Sequence, residues 1–69
     1  MNLIMNDATR NFLEKHCADI PFDREHLNDL LDRLDEMELN SLDVEYNPTE
    51  ATRPIVYAID DLWANNGDH

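Results

Sequence analysis

The sequence predicts an all-α fold: a small antiparallel bundle of three main helices plus one short helical turn, built as a single acidic domain over residues 1–69. Three observations lead there. Apolar residues recur with the 3.6-residue period of a helix in three separate stretches. Asparagine, aspartate or proline stands at the border of each stretch, where helices start and stop. Between the second and third stretches, residues 41–48 leave room for only one short element, of ambiguous period.

In the first stretch, Met5, Ala8, Phe12, Leu13, His16 and Ile20 project onto one broad face at about 100° per residue. Asn6 or Asp7 is the expected N-cap. Pro21 then separates this helix from the next, which suits a short antiparallel connection. The second helix is expected from Asp23 to about Glu38, with Leu27, Leu30, Leu31, Leu34 and Met37 on one stripe. Asp23 is a favourable N-cap, and Phe22 and Leu27 stand at the positions of a hydrophobic staple. Past Met37 the pattern fails, because Glu38 would point into the stripe and Leu39 away from it.

The last helix carries Pro54 in its first turn, where proline is tolerated. Ile55, Ala58, Ile59 and Leu62 form its stripe, Val56 and Trp63 widen it, and Tyr57 lies nearly opposite, beside Asp60 and Asp61. Gly67 is expected to end it in a left-handed cap. Segment 41–48 has an ambiguous period. Leu42, Val44 and Tyr46 alternate as in a strand, while Asp43 to Tyr46 also fits one helical turn. Asn47-Pro48-Thr49-Glu50 has the form of a helix start, with proline at N1 and glutamate at N3.

The charge balance sorts the function classes. Sixteen Asp and Glu against five Lys and Arg leave a net charge of −11 on 69 residues. DNA, RNA and anionic membranes are bound through clustered Lys and Arg, so all three are excluded as partners and a basic protein is expected instead. The 42% hydrophobic content, with its periodicity, argues against disorder. Cys17 is the lone cysteine, so no internal disulfide forms and a reducing cytoplasm is the expected location. Leu3-Ile4-Met5 is too short for a signal-peptide core, and no apolar run approaches a bilayer span. A leucine stripe of about two heptads is short for a coiled coil, which favours a monomer.

Catalytic and metal chemistry find no constellation. His16, Cys17, Asp19 and His26 lack the spacing of a tetrahedral zinc site, and no segment fits a calcium loop. Cys17 reads as a small buried hydrophobe and His16 as a residue at the core edge. One glycine cannot build a phosphate-cradling loop. No enzyme activity and no cofactor are expected. Asn40-Ser41-Leu42-Asp43 resembles the Asp-Ser-Leu attachment site of acyl carrier proteins. In that family the serine opens a long helix, whereas here Asn47-Pro48 follows closely and Asn40 replaces the aspartate.

The second helix is more informative. Glu25, Asp29, Asp32, Asp35 and Glu36 cover the side away from its leucines. Only Arg33 neutralises them, by pairing with Asp29 and Glu36 at helical spacing. Such an excess speeds encounter with a basic partner. Tyr46, set between the carboxylates of Asp43 and Glu45 on an irregular segment, has the character of an interface anchor.

Taken in order, these segments resemble the immunity proteins of nuclease colicins and pyocins. Phe12-Leu13 followed by Cys17-Ala18-Asp19 is similar to the end of that family's first helix. Leu27, Leu30, Leu31, Leu34, Asp35, Glu36 and Met37 match its second in spacing. Asp43-Val44-Glu45-Tyr46-Asn47-Pro48 resembles the Asp-x-x-Tyr-Tyr-Pro of its short third helix. Ile55-Val56, Ile59, Ala64, Asn66 and Gly67 are placed like the last helix and its end.

The resemblance implies a four-helix inhibitor that binds and blocks the basic nuclease domain of a bacteriocin in the producing cell. It implies that Asp43 and Tyr46 serve the shared part of the interface, with Asn47 where a second tyrosine would stand. It also implies partner-specific contacts from Arg24, Leu27, Asn28, Leu31, Asp32 and Asp35. The alternative from composition alone is an acidic nucleic-acid mimic or antitoxin acting on another basic protein.

Overall fold

The computed structural model of the chain describes residues 3–67. They are mostly helical, in the order α1 (Asp7–His16), a 3-10 turn (Arg24–His26), α2 (Leu27–Ser41) and α3 (Thr52–Asn66), with no strand element among the described residues. The N-cap of α1 is Asn6, whose side-chain oxygen accepts from Thr9 N at 2.8 Å. That bond satisfies one of the amides a helix start leaves unpaired. The helix stops four residues short of Ile20. Proline at position 21 disfavours helical geometry in the residue before it, and Ile20 instead turns back to bond Cys17 O. Ile20 still packs against the core, from the connection rather than from a helix face.

Asp23 is a cap, of a 3-10 turn that leads into α2. Its carboxylate accepts from His26 N at 2.9 Å. The α-helix then runs to Ser41, three residues beyond the point where the apolar pattern breaks. The reason lies outside the stripe. Ser41 Oγ meets Thr52 Oγ1 at 2.6 Å, and Thr49 Oγ1 donates to Ser41 O at 2.7 Å. Tertiary hydroxyl contacts therefore hold a last turn that side-chain patterning alone would let fray. The same hydroxyls start α3: Thr49 N donates to Thr52 Oγ1, and Ala51 N to Thr49 Oγ1. The helix start expected at Asn47-Pro48 thus falls later: α3 begins at Thr52, with Ala51 at its N-cap position, no side-chain cap bond, and Pro54 within the first turn.

The core is Leu3, Leu13, Cys17, Leu30, Leu31, Leu34, Ile55, Ala58 and Leu62, flanked by half-buried Met5, Phe12, Phe22, Leu27, Met37 and Ile59. Helix α3 is the common partner: both α1 and α2 pack on it. Residues 3–6 add a further layer along α3. Asn66 grips Ile4 by both amide atoms, with Ile4 N donating to Asn66 Oδ1 at 2.8 Å and Asn66 Nδ2 donating to Ile4 O at 2.6 Å. Asn6 bonds the Asp61 carboxylate and the Tyr57 hydroxyl. The end of α3 departs from expectation. Gly67 has φ −71° and ψ 137°, an extended conformation open to any residue, and its amide donates to Trp63 O.

Candidate interaction surface

The exposed side of α2 is acidic. Glu25, Asp29, Asp32, Asp35 and Glu36 are all exposed, while Leu30, Leu31 and Leu34 of the same stretch are buried. Arg33 does not pair along the helix. Its guanidinium makes a two-bonded contact with Asp19 in the connection from α1, at 3.1 and 2.9 Å. A planar fork facing a carboxylate is the better geometry, and it also ties the connection to α2. The bonds from Arg33 hold the Asp19 carboxyl below its ordinary pKa. Asp29, Asp32 and Glu36 are left to solvent.

Two flanks of α2 differ in what they adjoin. On one, Asp29, Asp32, Arg33 and Glu36 border an open groove with Asp19, Pro21 and His26. There Asp23 Oδ1 lies 2.6 Å from His26 Nδ1. The bond to His26 lowers the Asp23 pKa, and the bond to Asp23 raises that of His26. On the other flank, Arg24, Leu27 and Asn28 border a cleft with Trp63, Asn66 and Gly67.

The connection from α2 to α3 carries the remaining candidates. Asp43 organises it. Tyr46 N donates to Asp43 O at 2.9 Å, and Asp43 N donates to Asn47 O at 3.0 Å. The Asp43 carboxylate accepts from the amides of Glu45 and Asn47 at 2.8 and 2.9 Å. Aspartate commonly organises turns by bonding the backbone two residues on. Closing this loop sends Tyr46 to φ 64°, the left-handed region that favours glycine. Its side chain is 81% exposed, Val44 is 96% exposed, and Leu39 in the last turns of α2 is 68% exposed. Large apolar side chains are thus presented to water among Asp43, Glu45 and further carboxylates.

The structure brings Arg24, Leu27 and Asn28 together at one end of α2, and Asp43, Glu45 and Tyr46 together beyond the other. The helix that links these groups, α2, is fifteen residues long and spans about 22 Å at 1.5 Å per residue. Asp32 and Asp35 lie along the exposed face between them. Leu31 departs from its expected contact role: it is 6% exposed, because its position on the stripe turns it into the core. Leu27 is half-buried and keeps a partial surface. The contributions of Leu39 and Val44 were not foreseen as part of this surface. The broken stripe at Leu39 was the signal for one, and nothing marked the other.

Two residues with candidate chemistry sit elsewhere. Ser41 closes α2 rather than opening a helix, and its hydroxyl bonds Glu38 O at 2.7 Å as well as meeting Thr52. That geometry differs from the carrier-protein arrangement. Cys17 is buried, and burial pushes its thiol pKa up, with Arg33 opposing. His16 is exposed and tilts against Phe12, with ring centres 4.5 Å apart. Among the described residues, no three His, Cys, Asp or Glu side chains gather to hold a metal ion, and no helix is long and apolar enough to cross a membrane. Comparison with protein-family models, curated proteins and solved structures finds no match for this chain.

Proposed function

We propose that the chain is a stoichiometric inhibitor of the immunity-protein type, which docks on a basic nuclease domain in the cytoplasm of the producing cell and excludes nucleic acid by charge and bulk. In this reading its helices form the antiparallel bundle of that family, the 43–46 turn stands in for the short third helix, and the inhibitor acts as a monomer. The observation that carries the reading is Tyr46. A rigid aromatic is held outward at a cost in backbone strain, next to carboxylates, with exposed Val44 beside it. Strain of this kind concentrates at functional sites, and aromatics ringed by polar groups dominate protein interfaces. The carboxylates of α2 would steer the encounter, and Arg24, Asn28, Asp32 and Asp35 would adjust partner choice.

The test is binding to a panel of purified bacteriocin nuclease domains. Tyr46→Ala is expected to weaken binding to the cognate domain by at least about tenfold, in the range of an interface anchor. The association rate is expected to fall steeply as salt rises, since steering is screened beyond about 8 Å at physiological ionic strength. Absence of binding to every domain, or affinity indifferent to Tyr46, would refute the reading. The four exposed carboxylates of α2, with Glu25 in the turn before it, also favour a second one, a nucleic-acid mimic or antitoxin acting on another basic protein. Salt-sensitive binding to such a protein that ignores Tyr46 would select it.

A further inference from the structure

The only glycine of the chain follows directly on a buried asparagine, and the fold gives it no conformational task. At φ −71° and ψ 137°, Gly67 occupies a region where alanine is equally at home. What glycine does supply is chemical. With no Cβ to obstruct it, the amide nitrogen after an asparagine can reach that asparagine's side-chain carbonyl.

The same two residues form a structural clip. Asn66 is 5% exposed, accepts from Ile4 N, and donates to both Ile4 O and Leu62 O, the last at 3.1 Å. The Gly67 amide is engaged with Trp63 O at 2.9 Å. Electrophile and nucleophile are therefore adjacent in sequence and restrained by separate hydrogen bonds.

We propose that Asn66–Gly67 is a self-modification site gated by the fold, so that deamidation there records the time the clip spends open. When the end of α3 opens, the Gly67 nitrogen loses its proton and bonds to Asn66 Cγ. The Cγ–Nδ2 bond breaks and ammonia leaves with the transferred proton, giving a five-membered imide. Water then adds to either imide carbonyl and opens the ring to an aspartyl or isoaspartyl residue. The net change is one water consumed and one ammonia released, with no oxidant or cofactor.

The product cannot remake the clip. A carboxylate has no N–H to offer Ile4 O and Leu62 O, and it faces both acceptors with a negative charge. The isoaspartyl form also lengthens the main chain by one carbon. Leu3, a core residue at 3% exposure beside Ile4, keeps its own amide bond to Phe22 O but loses the neighbouring clip that helps to seat it. Each modified molecule is thus less stable than its parent, and loss of ammonia makes the change one-way.

The experiment incubates the full chain at mildly alkaline pH, folded and in concentrated urea, and follows the one-dalton mass gain at Asn66 by peptide mapping. Modification in the folded protein is expected to be at least about tenfold slower, because reaction must wait for local opening. Gly67→Ala, confirmed as folded by circular dichroism, is expected to suppress the gain in both conditions. The modified fraction, separated by its added charge, is expected to unfold at lower urea than its parent. Equal rates folded and unfolded, an undiminished gain in Gly67→Ala, or an unchanged midpoint for the modified fraction would each overturn the proposal.

Discussion

Replacing Tyr46 with glycine is expected to make the protein more stable. The backbone at this position lies at φ 64°, where a side chain bearing Cβ costs about 1–2 kcal/mol. Glycine removes that cost but returns about 0.5–1 kcal/mol through its greater freedom in the unfolded chain. Little packing is lost, since the tyrosine is 81% exposed. The net gain is about 0.5–1 kcal/mol, out of a total near 3–10 kcal/mol for a chain of this size. In thermal unfolding it corresponds to a rise of about 2–8 °C.

Urea unfolding followed by far-ultraviolet circular dichroism reads the change, with an unaltered m-value as the control that the two end states are the same. Tyr46→Ala separates the causes. It removes the ring but keeps Cβ in the left-handed region, so it should not share the gain. A midpoint for Tyr46→Gly at or below that of the parent would refute the reasoning. It would mean that the ring contributes packing or that the turn relaxes without strain.

Three further outcomes are expected. Leu34→Ala, at a fully buried core position, should cost about 2–5 kcal/mol, enough to abolish cooperative urea unfolding or shift its midpoint severely. Thr9→Val should stabilise by about 1 kcal/mol in the same assay, because Thr9 Oγ1 is buried without a hydrogen-bond partner among the described residues. The Asp23–His26 pair should shape stability against pH from both sides. His26 has its pKa raised above 6.5, so its contribution is full below that value and is lost as pH rises through the folded pKa. Asp23 has its pKa lowered below 3.8, so its contribution is full above that value and is lost as pH falls through the folded pKa. Urea midpoints taken across this range should show both slopes flattened in Asp23→Ala, and parallel profiles for the two proteins would exclude the pair as their source.

The candidate surface is partly legible in the sequence alone. The solvent side of α2 follows from its leucines, since a helix that buries Leu30 and Leu34 must turn Asp29, Asp32 and Glu36 outward. Asp23 was readable as a cap, and Asn6 as one of two candidates with Asp7, because a short polar side chain next to an apolar stripe has few other uses. Tyr46 stood out by type and neighbours. Its left-handed backbone did not, because residues 43–46 carry no glycine or asparagine at the position that needs one. Leu31 was misplaced for the opposite reason: an interface position borrowed from a resemblance met a stripe that turns the same residue inward.

The sequence by itself determined the helical class, the three apolar stripes, and the net charge of −11. These follow from local periodicity and summed charge, which need no knowledge of distant contacts. Only the tertiary structure decided where the helices end, that Arg33 serves Asp19 instead of its own helix, and that Gly67 is extended. It also decided that Asn66 holds Ile4 across 62 positions of chain. Each of these depends on groups far apart in sequence whose hydrogen bonds are settled by packing, and a local pattern carries no record of them.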